Sequence, residues 1–219
     1  MNTNTIEQPL NALAAQRSRI YALLAEVLSF PSEDSALRLL NGDWAGEYLD
    51  ATKILDYFES QSEDTLLQQH YASVSELQSA YSTLFDVASG TPKVSLLERR
   101  YGDTPEQTLW RELLGFYSHF GLDFSEGYAE EQIDHLLTEL SFMHYLSFLE
   151  AGAETGAIDF QRGQKDLLQL HLLPFIESFH GAIIEHQETG FYGSLASDML
   201  QFARADLVHL QSNLEESSD

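Results

Sequence analysis

Apolar residues recur along this chain at three- and four-residue spacing, and the strict alternation of a half-buried strand is nearly absent. Residues 10–29 place Leu10, Leu13, Ile20, Leu23, Leu24, Val27 and Leu28 on a helical stripe that stops at Phe30-Pro31, where the proline disfavours helix in the residue before it. Ser32 is a cap for a second, short helix that Gly42 ends. Two further helices are predicted over 45–60 (with Trp44, Tyr48, Ile54, Leu55 and Phe58) and 64–86 (Leu66, Leu67, Val74, Leu77, Tyr81, Leu84, Phe85). The stretch Ala88–Asp103 has no sustained period and holds Gly90, Pro92 and Gly102, so it reads as a long loop of the kind that often carries function.

Thr104-Pro105-Glu106-Gln107 predicts a capped helix start, with threonine as cap and glutamine closing a capping box. That helix buries Leu109, Leu113, Phe116, Tyr117 and Phe120 and ends at Gly121. A segment with two glycines and three acids, 121–130, follows as a hinge. Beyond it, helices are predicted over 132–150 and 159–171, then, after a break or kink at Leu172-Leu173-Pro174-Phe175, up to His186, and finally over 192–214. No repeat and no sustained heptad run is visible. The expected fold is all-α, a compact bundle of about nine to eleven helices in two units, 1–120 and 131–219. A hinge between such units makes a domain-swapped homodimer a low-cost alternative to the monomer.

The densest chemistry lies at 131–143, Glu-Gln-Ile-Asp-His-Leu-Leu-Thr-Glu-Leu-Ser-Phe-Met. As a helix, it aligns Ile133, Leu136, Leu137, Leu140 and Met143 on one stripe, with Asp134, His135 and Glu139 beside it. Spacing alone makes these three a helix start with a surface pair, at which substitution costs little stability.

This run resembles the Asp-His-x-x-x-Glu-Leu/Met signature of the TorD/DmsD family of redox-enzyme maturation chaperones; Asp134, His135, Glu139, Leu140, Phe142 and Met143 match, while Ile133 stands where the family usually has proline. Tyr81-Ser-Thr-Leu84-Phe85, followed by Pro92, Ser95, Glu98 and Tyr101-Gly102, is similar to the family's aromatic helix end and proline-containing loop. Phe191-Tyr192, Asp198-Met199-Leu200-x-Phe202 and Asp206-Leu207-x-His209-Leu210 are most like the branch whose client is trimethylamine N-oxide reductase. The resemblance implies an all-helical, non-enzymatic chaperone that binds an immature molybdenum oxidoreductase and its twin-arginine signal peptide before export. It implies a groove lined by Tyr81, Leu84 and Phe85, an adjoining loop shaped by Pro92, Ser95 and Tyr101, and a polar side formed by Asp134, His135 and Glu139.

Composition agrees with that partner. Thirty-five acidic residues against eleven basic ones leave a net charge of −24, which repels nucleic acid and anionic membrane and steers in a cationic ligand. The residues after 120 are the more anionic, with 18 acids and 3 bases against 17 and 8 before. The N-terminus has no basic and apolar leader pattern and no run approaches ~18 apolar residues, so a cytoplasmic protein without membrane insertion is expected.

Catalytic constellations are few. With no cysteine, disulfides, iron–sulfur clusters and thiol nucleophiles are excluded. Nucleophile-elbow, zincin, P-loop and dinucleotide fingerprints are absent, and no cofactor is expected. The enzyme alternative rests on Glu177-x-x-His180 and Asp206-x-x-His209, whose i, i+3 spacing is that of di-iron carboxylate bundles.

Overall fold

The computed structural model describes residues 11–68, 70–85, 92–123, 132–186 and 190–217. Helix α1 (Ala12–Val27) begins where the Asn11 side chain accepts the Ala14 N–H at 3.0 Å. α2 (Glu33–Leu40) is capped by Ser32 as expected, and Gly42, at φ +80°, makes the turn into α3 (Asp43–Thr52).

Two long helices of the sequence reading come out shorter. The 45–60 helix ends as α3 at Thr52, and the chain at the far end of the expected helix is tied to the C-terminal helix instead: Ser60 and the Gln61 N–H both donate to the buried Asp198 carboxylate, at 2.9 and 3.1 Å. The 64–86 helix is split into α4 (Glu63–Leu66) and α5 (Val74–Phe85). A capping box missed in the sequence starts α5: the Ser73 hydroxyl accepts the Glu76 N–H, and the Glu76 carboxylate reaches back to the Ala72 N–H.

A 3₁₀ turn at Glu98–Arg100 precedes α6 (Glu106–His119), which starts one residue later than expected. The Thr104 capping box does not form; the Pro105 carbonyl accepts the first N–H groups instead, and Gly121 at φ +82° closes the far end. Residues 124–130 of the expected hinge lie outside the described residues.

α7 (Leu136–Gly152) packs along α1, and α8 (Ala157–Leu167) packs on α7. At Leu172–Phe175, where a break or kink is expected, the helix is not interrupted but its register changes. α8 runs through a π turn (Leu168–Leu172) directly into α9 (Leu173–Glu185), with the Leu173 N–H donating to the Leu168 carbonyl five residues back. Pro174 has no N–H to continue the α ladder, and the π turn just before it absorbs that register change. Within the 29-residue rod one 18-residue stretch is apolar enough to cross a bilayer (mean hydropathy 1.3), but the rod's Leu168, Leu172, Ile176 and Ile183 are spent on the core. α10 (Phe191–Glu216) packs against α9 and α8.

Among the described residues the buried core is continuous from Ile20 to Leu210, so the stretches on either side of the expected hinge share one interior. A single cation is buried within it. Arg17 of α1 forks onto Asp206 of α10 (Nε to Oδ1 2.6 Å, Nη2 to Oδ2 2.9 Å) and donates to Glu150 of α7 at 2.8 Å and Gln164 of α8 at 2.7 Å. Tyr21 and Tyr57 also donate to Asp206, each at 2.7 Å. Burial alone would raise the Asp206 carboxyl; the attraction and hydrogen bonds of Arg17, with the two tyrosines, outweigh it and hold the group below its ordinary value.

Candidate functional site

The signature segment forms the junction between the 92–104 loop and the start of α7. His135 is the cap of that helix, its Nδ1 accepting the Leu137 N–H at 3.2 Å. This requires an unprotonated Nδ1, and burial, with Arg99 nearby and only partly countered by Asp134, lowers the His135 pKa accordingly. The loop crosses this start as a short antiparallel bridge between Leu97 and His135: the Leu136 N–H donates to the Leu96 carbonyl and the Glu98 N–H to the Asp134 carbonyl, both at 2.9 Å.

Asp134 is the anchor. Its carboxylate accepts the Arg99 N–H at 2.9 Å, the Arg99 guanidinium at 2.5 Å and the Trp110 indole N–H at 3.1 Å, and the guanidinium stacks over the Trp110 ring. Asp134 is wholly buried, which overturns the expectation of an exposed helix-start residue that can be replaced at little cost to stability. Arg99 and Trp110 were missed from the sequence. Arg99 did leave a signal, being one of few cations in a strongly acidic chain and lying inside the matched loop.

Glu139, one turn into α7, is also wholly buried, so the expected surface pair with His135 does not exist. No N–H or hydroxyl donor reaches either Glu139 oxygen or Glu98 Oε2 among the described residues, and the hydrogen bond between these two carboxyls needs a proton on one of them; Glu98 Oε1 lies 3.2 Å from His171 Nδ1. Burial first, then repulsion from Glu98 and Asp134, pushes the Glu139 carboxyl well above its ordinary value and favours its protonated form. A raised folded-state pKa contributes stability below the unfolded value of about 4.5 that is lost as pH rises toward the folded one. Glu139→Gln, which mimics the protonated acid, is therefore expected to match the wild type near pH 4.5 and to exceed it by roughly 1–3 kcal/mol at pH 8, the scale of an unmet buried polar group. Urea denaturation at both pH values checks this; an equal difference at both would mean that Glu139 does not gain a proton on folding.

The remaining predicted site residues divide. Ser95 and Tyr101 belong to the same loop, with the Tyr101 hydroxyl donating to the Ser95 carbonyl at 2.8 Å and its ring against Phe175. Pro92 is half-buried at the loop entry. Tyr81, Leu84 and Phe85 form a separate aromatic layer: Tyr81 donates to the Leu28 carbonyl, and Phe85 stacks on Phe179 and meets Tyr192 edge-on. Each of the three is under a tenth exposed, so as they stand they are core and offer no groove wall to a ligand. Of the polar trio only His135 reaches an open hollow, one of about 400 Å³ that it lines with Leu137, Thr138 and Phe142.

The carboxylate and histidine pairs of the enzyme alternative are otherwise engaged. Glu177 pairs with Arg204, His180 bonds Ser197, Asp206 is saturated by Arg17 and two tyrosines, and His209 stacks on Tyr57. Among the described residues no group of three or more potential ligands is placed to hold a metal.

The family model for the nitrate reductase delta subunit matches residues 48–181, which contain the loop, the Asp134 junction and the π turn. The chain belongs to this family, that of the TorD/DmsD-type maturation chaperones. Curated relatives agree. The perchlorate reductase assembly chaperone protein of Dechloromonas aromatica (strain RCB) is 29% identical over 203 residues, 89% of each chain. The chlorate reductase assembly chaperone protein of Ideonella dechloratans is 31% identical over 139 residues, 60% of this chain and 70% of the relative. The selenate reductase assembly chaperone protein of Thauera selenatis is 30% identical over 137 residues, with the same coverage. As a delta-subunit-family chaperone the chain works by binding rather than by catalysis. The Asp134 junction then has an architectural sense: it fixes a long loop, otherwise poor in regular structure, to the start of a core helix.

Proposed function

We propose that this chaperone binds an immature molybdenum oxidoreductase in the cytoplasm, keeps it receptive to cofactor insertion, and covers its twin-arginine leader until loading is complete. The observation that carries the reading is family membership across the loop and the α7 junction, and the net charge of −24 supports a cationic ligand. Reversible binding suffices for this work. The Asp206-Leu207-x-His209-Leu210 pattern favours trimethylamine N-oxide reductase as client; the relatives favour a reductase of perchlorate, chlorate or selenate.

The tagged chaperone, purified from its own cells under conditions that induce reductases, is expected to bring down one molybdenum oxidoreductase in its cofactor-free form. A synthetic leader of that client should bind the pure chaperone in calorimetry, more weakly as salt rises. Recovery of only cofactor-loaded enzyme would overturn the reading. Monomer and domain-swapped dimer are proposed to coexist, exchanging slowly because the Arg17 contacts with Glu150 and Asp206 must part before units can trade.

A further inference from the structure

We propose that the leader docks in the groove between α6 and the α8–π turn segment, an inference that rests on the leader-binding reading above and assigns it a surface. The groove has a volume of about 730 Å³, within the range of ligand pockets. Its apolar wall is made by Phe116, Phe120 and Leu170. Leu170 is 60% exposed, an uncommon position for a leucine next to a fully packed core helix. Leu168, His171 and Leu172, at i, i+3 and i+4 through the π turn, face inward, and Leu170 stays off that face on the groove side. π turns within α-helices are frequent at functional sites. Earlier on the same rod, Gly163 has no side chain for a steric reason, since a Cβ there would collide with the Phe120 ring. That close approach is what sets Phe120 as the groove wall.

Charge selects the occupant. Glu112, Asp159 and Asp166 border the groove; Asp159 pairs with Arg162 at 3.5 Å and Asp166 with Lys165 at 2.6 Å, which leaves Glu112 as the rim carboxylate open to a cationic ligand. Glu112 has no ion pair among the described residues. The floor is His171, whose Nδ1 lies 3.2 Å from the Glu98 carboxylate. An apolar trough with an open carboxylate on its rim and another beneath its floor fits a peptide with adjacent arginines and an apolar stretch, an arginine forking onto Glu112 and the apolar side chains lying on Phe116 and Leu170. The hollow beside His135 is smaller, at about 400 Å³, and its described lining is His135 with neutral side chains.

The test is fluorescence anisotropy with a labelled synthetic peptide containing two adjacent arginines followed by an apolar stretch, and a second peptide with both arginines replaced by glutamine. Leu170→Glu, at an exposed site where folding is little affected, is expected to weaken the arginine peptide roughly tenfold or more, and Glu112→Lys by roughly tenfold. Phe148→Glu, equally exposed on α7 and not lining the groove, should bind as wild type. The preference for arginine over glutamine peptide should shrink on Glu112→Lys, as a direct charge contact requires. If the wild type binds the peptide and both groove variants bind it equally well, or Phe148→Glu is the variant that fails, the groove assignment is overturned while leader recognition stands. If the wild type binds neither peptide, leader recognition falls and the groove assignment with it.

Discussion

Arg17→Ala is expected to cost about 3–5 kcal/mol of unfolding free energy, the range for removing one partner of a buried ion pair. The guanidinium is 1% exposed and joins α1, α7, α8 and α10 through Asp206, Glu150 and Gln164. Its removal strands two buried carboxylates in an interior that tolerates them only as partners. The triple replacement Arg17→Met with Asp206→Leu and Glu150→Gln removes all three buried charges and should recover part of the loss. Equilibrium urea unfolding of the three proteins measures this, and a single variant within 1 kcal/mol of wild type would sink it. The same variant should speed exchange between monomer and swapped dimer, followed by light scattering on separated fractions, because the contacts that must part would already be missing. Acid should imitate the mutation. Asp206 has a lowered pKa, so its stabilisation is present above the ordinary carboxylate value and lost as pH falls below it.

Asp134→Ala is expected to lower stability by about 3 kcal/mol, near the lower end of the buried-pair range because Arg99 keeps a distant partner in Glu106 at 3.9 Å. Three donors lose their acceptor at once: the Arg99 N–H, the Arg99 guanidinium and the Trp110 indole. The damage should be local before it is global, with faster hydrogen exchange at Glu98 and Leu136, whose N–H groups hold the loop to α7. Asp134→Asn keeps acceptor capacity and loses the charge, so it should fall between alanine and wild type. A melting curve for Asp134→Ala that overlays the wild type would refute the anchoring role. Loss of client binding in this variant is therefore expected to come with loop release, whereas Leu170→Glu should lose leader binding with its melting curve intact.

The helical character of the chain was legible because three- and four-residue spacing is a local property, and so were the Ser32 cap and the Gly42 and Gly121 turns, where the side chain or its absence acts within one turn. Boundaries failed where a distant partner intervened. Asp198 holds Ser60 and Gln61, at the far end of the expected 45–60 helix, from well over a hundred residues away, and no local rule contains that contact. The Ser73 and Glu76 box was readable and was passed over in favour of a longer apolar stripe. At the candidate site, motif spacing picked out Asp134, His135 and Glu139 but put them on the surface, since period alone cannot say whether a polar residue beside an apolar stripe faces water or a buried partner. Arg17 carried a readable hint, sitting four residues after Leu13 and three before Ile20 within the α1 stripe.

By itself the sequence determined an all-helical chain, its strongly anionic character, the absence of thiol chemistry and, through three ordered motifs, its chaperone family, because each of these depends on residue type and short spacing. Only the tertiary structure decided that Tyr81, Leu84 and Phe85 are core, that Asp134 anchors Arg99 and Trp110, that Asp206 neutralises Arg17, and that Leu170 is left facing an acidic-rimmed groove. The physical reason is common to all four: burial and pairing free energies depend on which surfaces meet, and helices distant in the chain meet only once the whole core has formed.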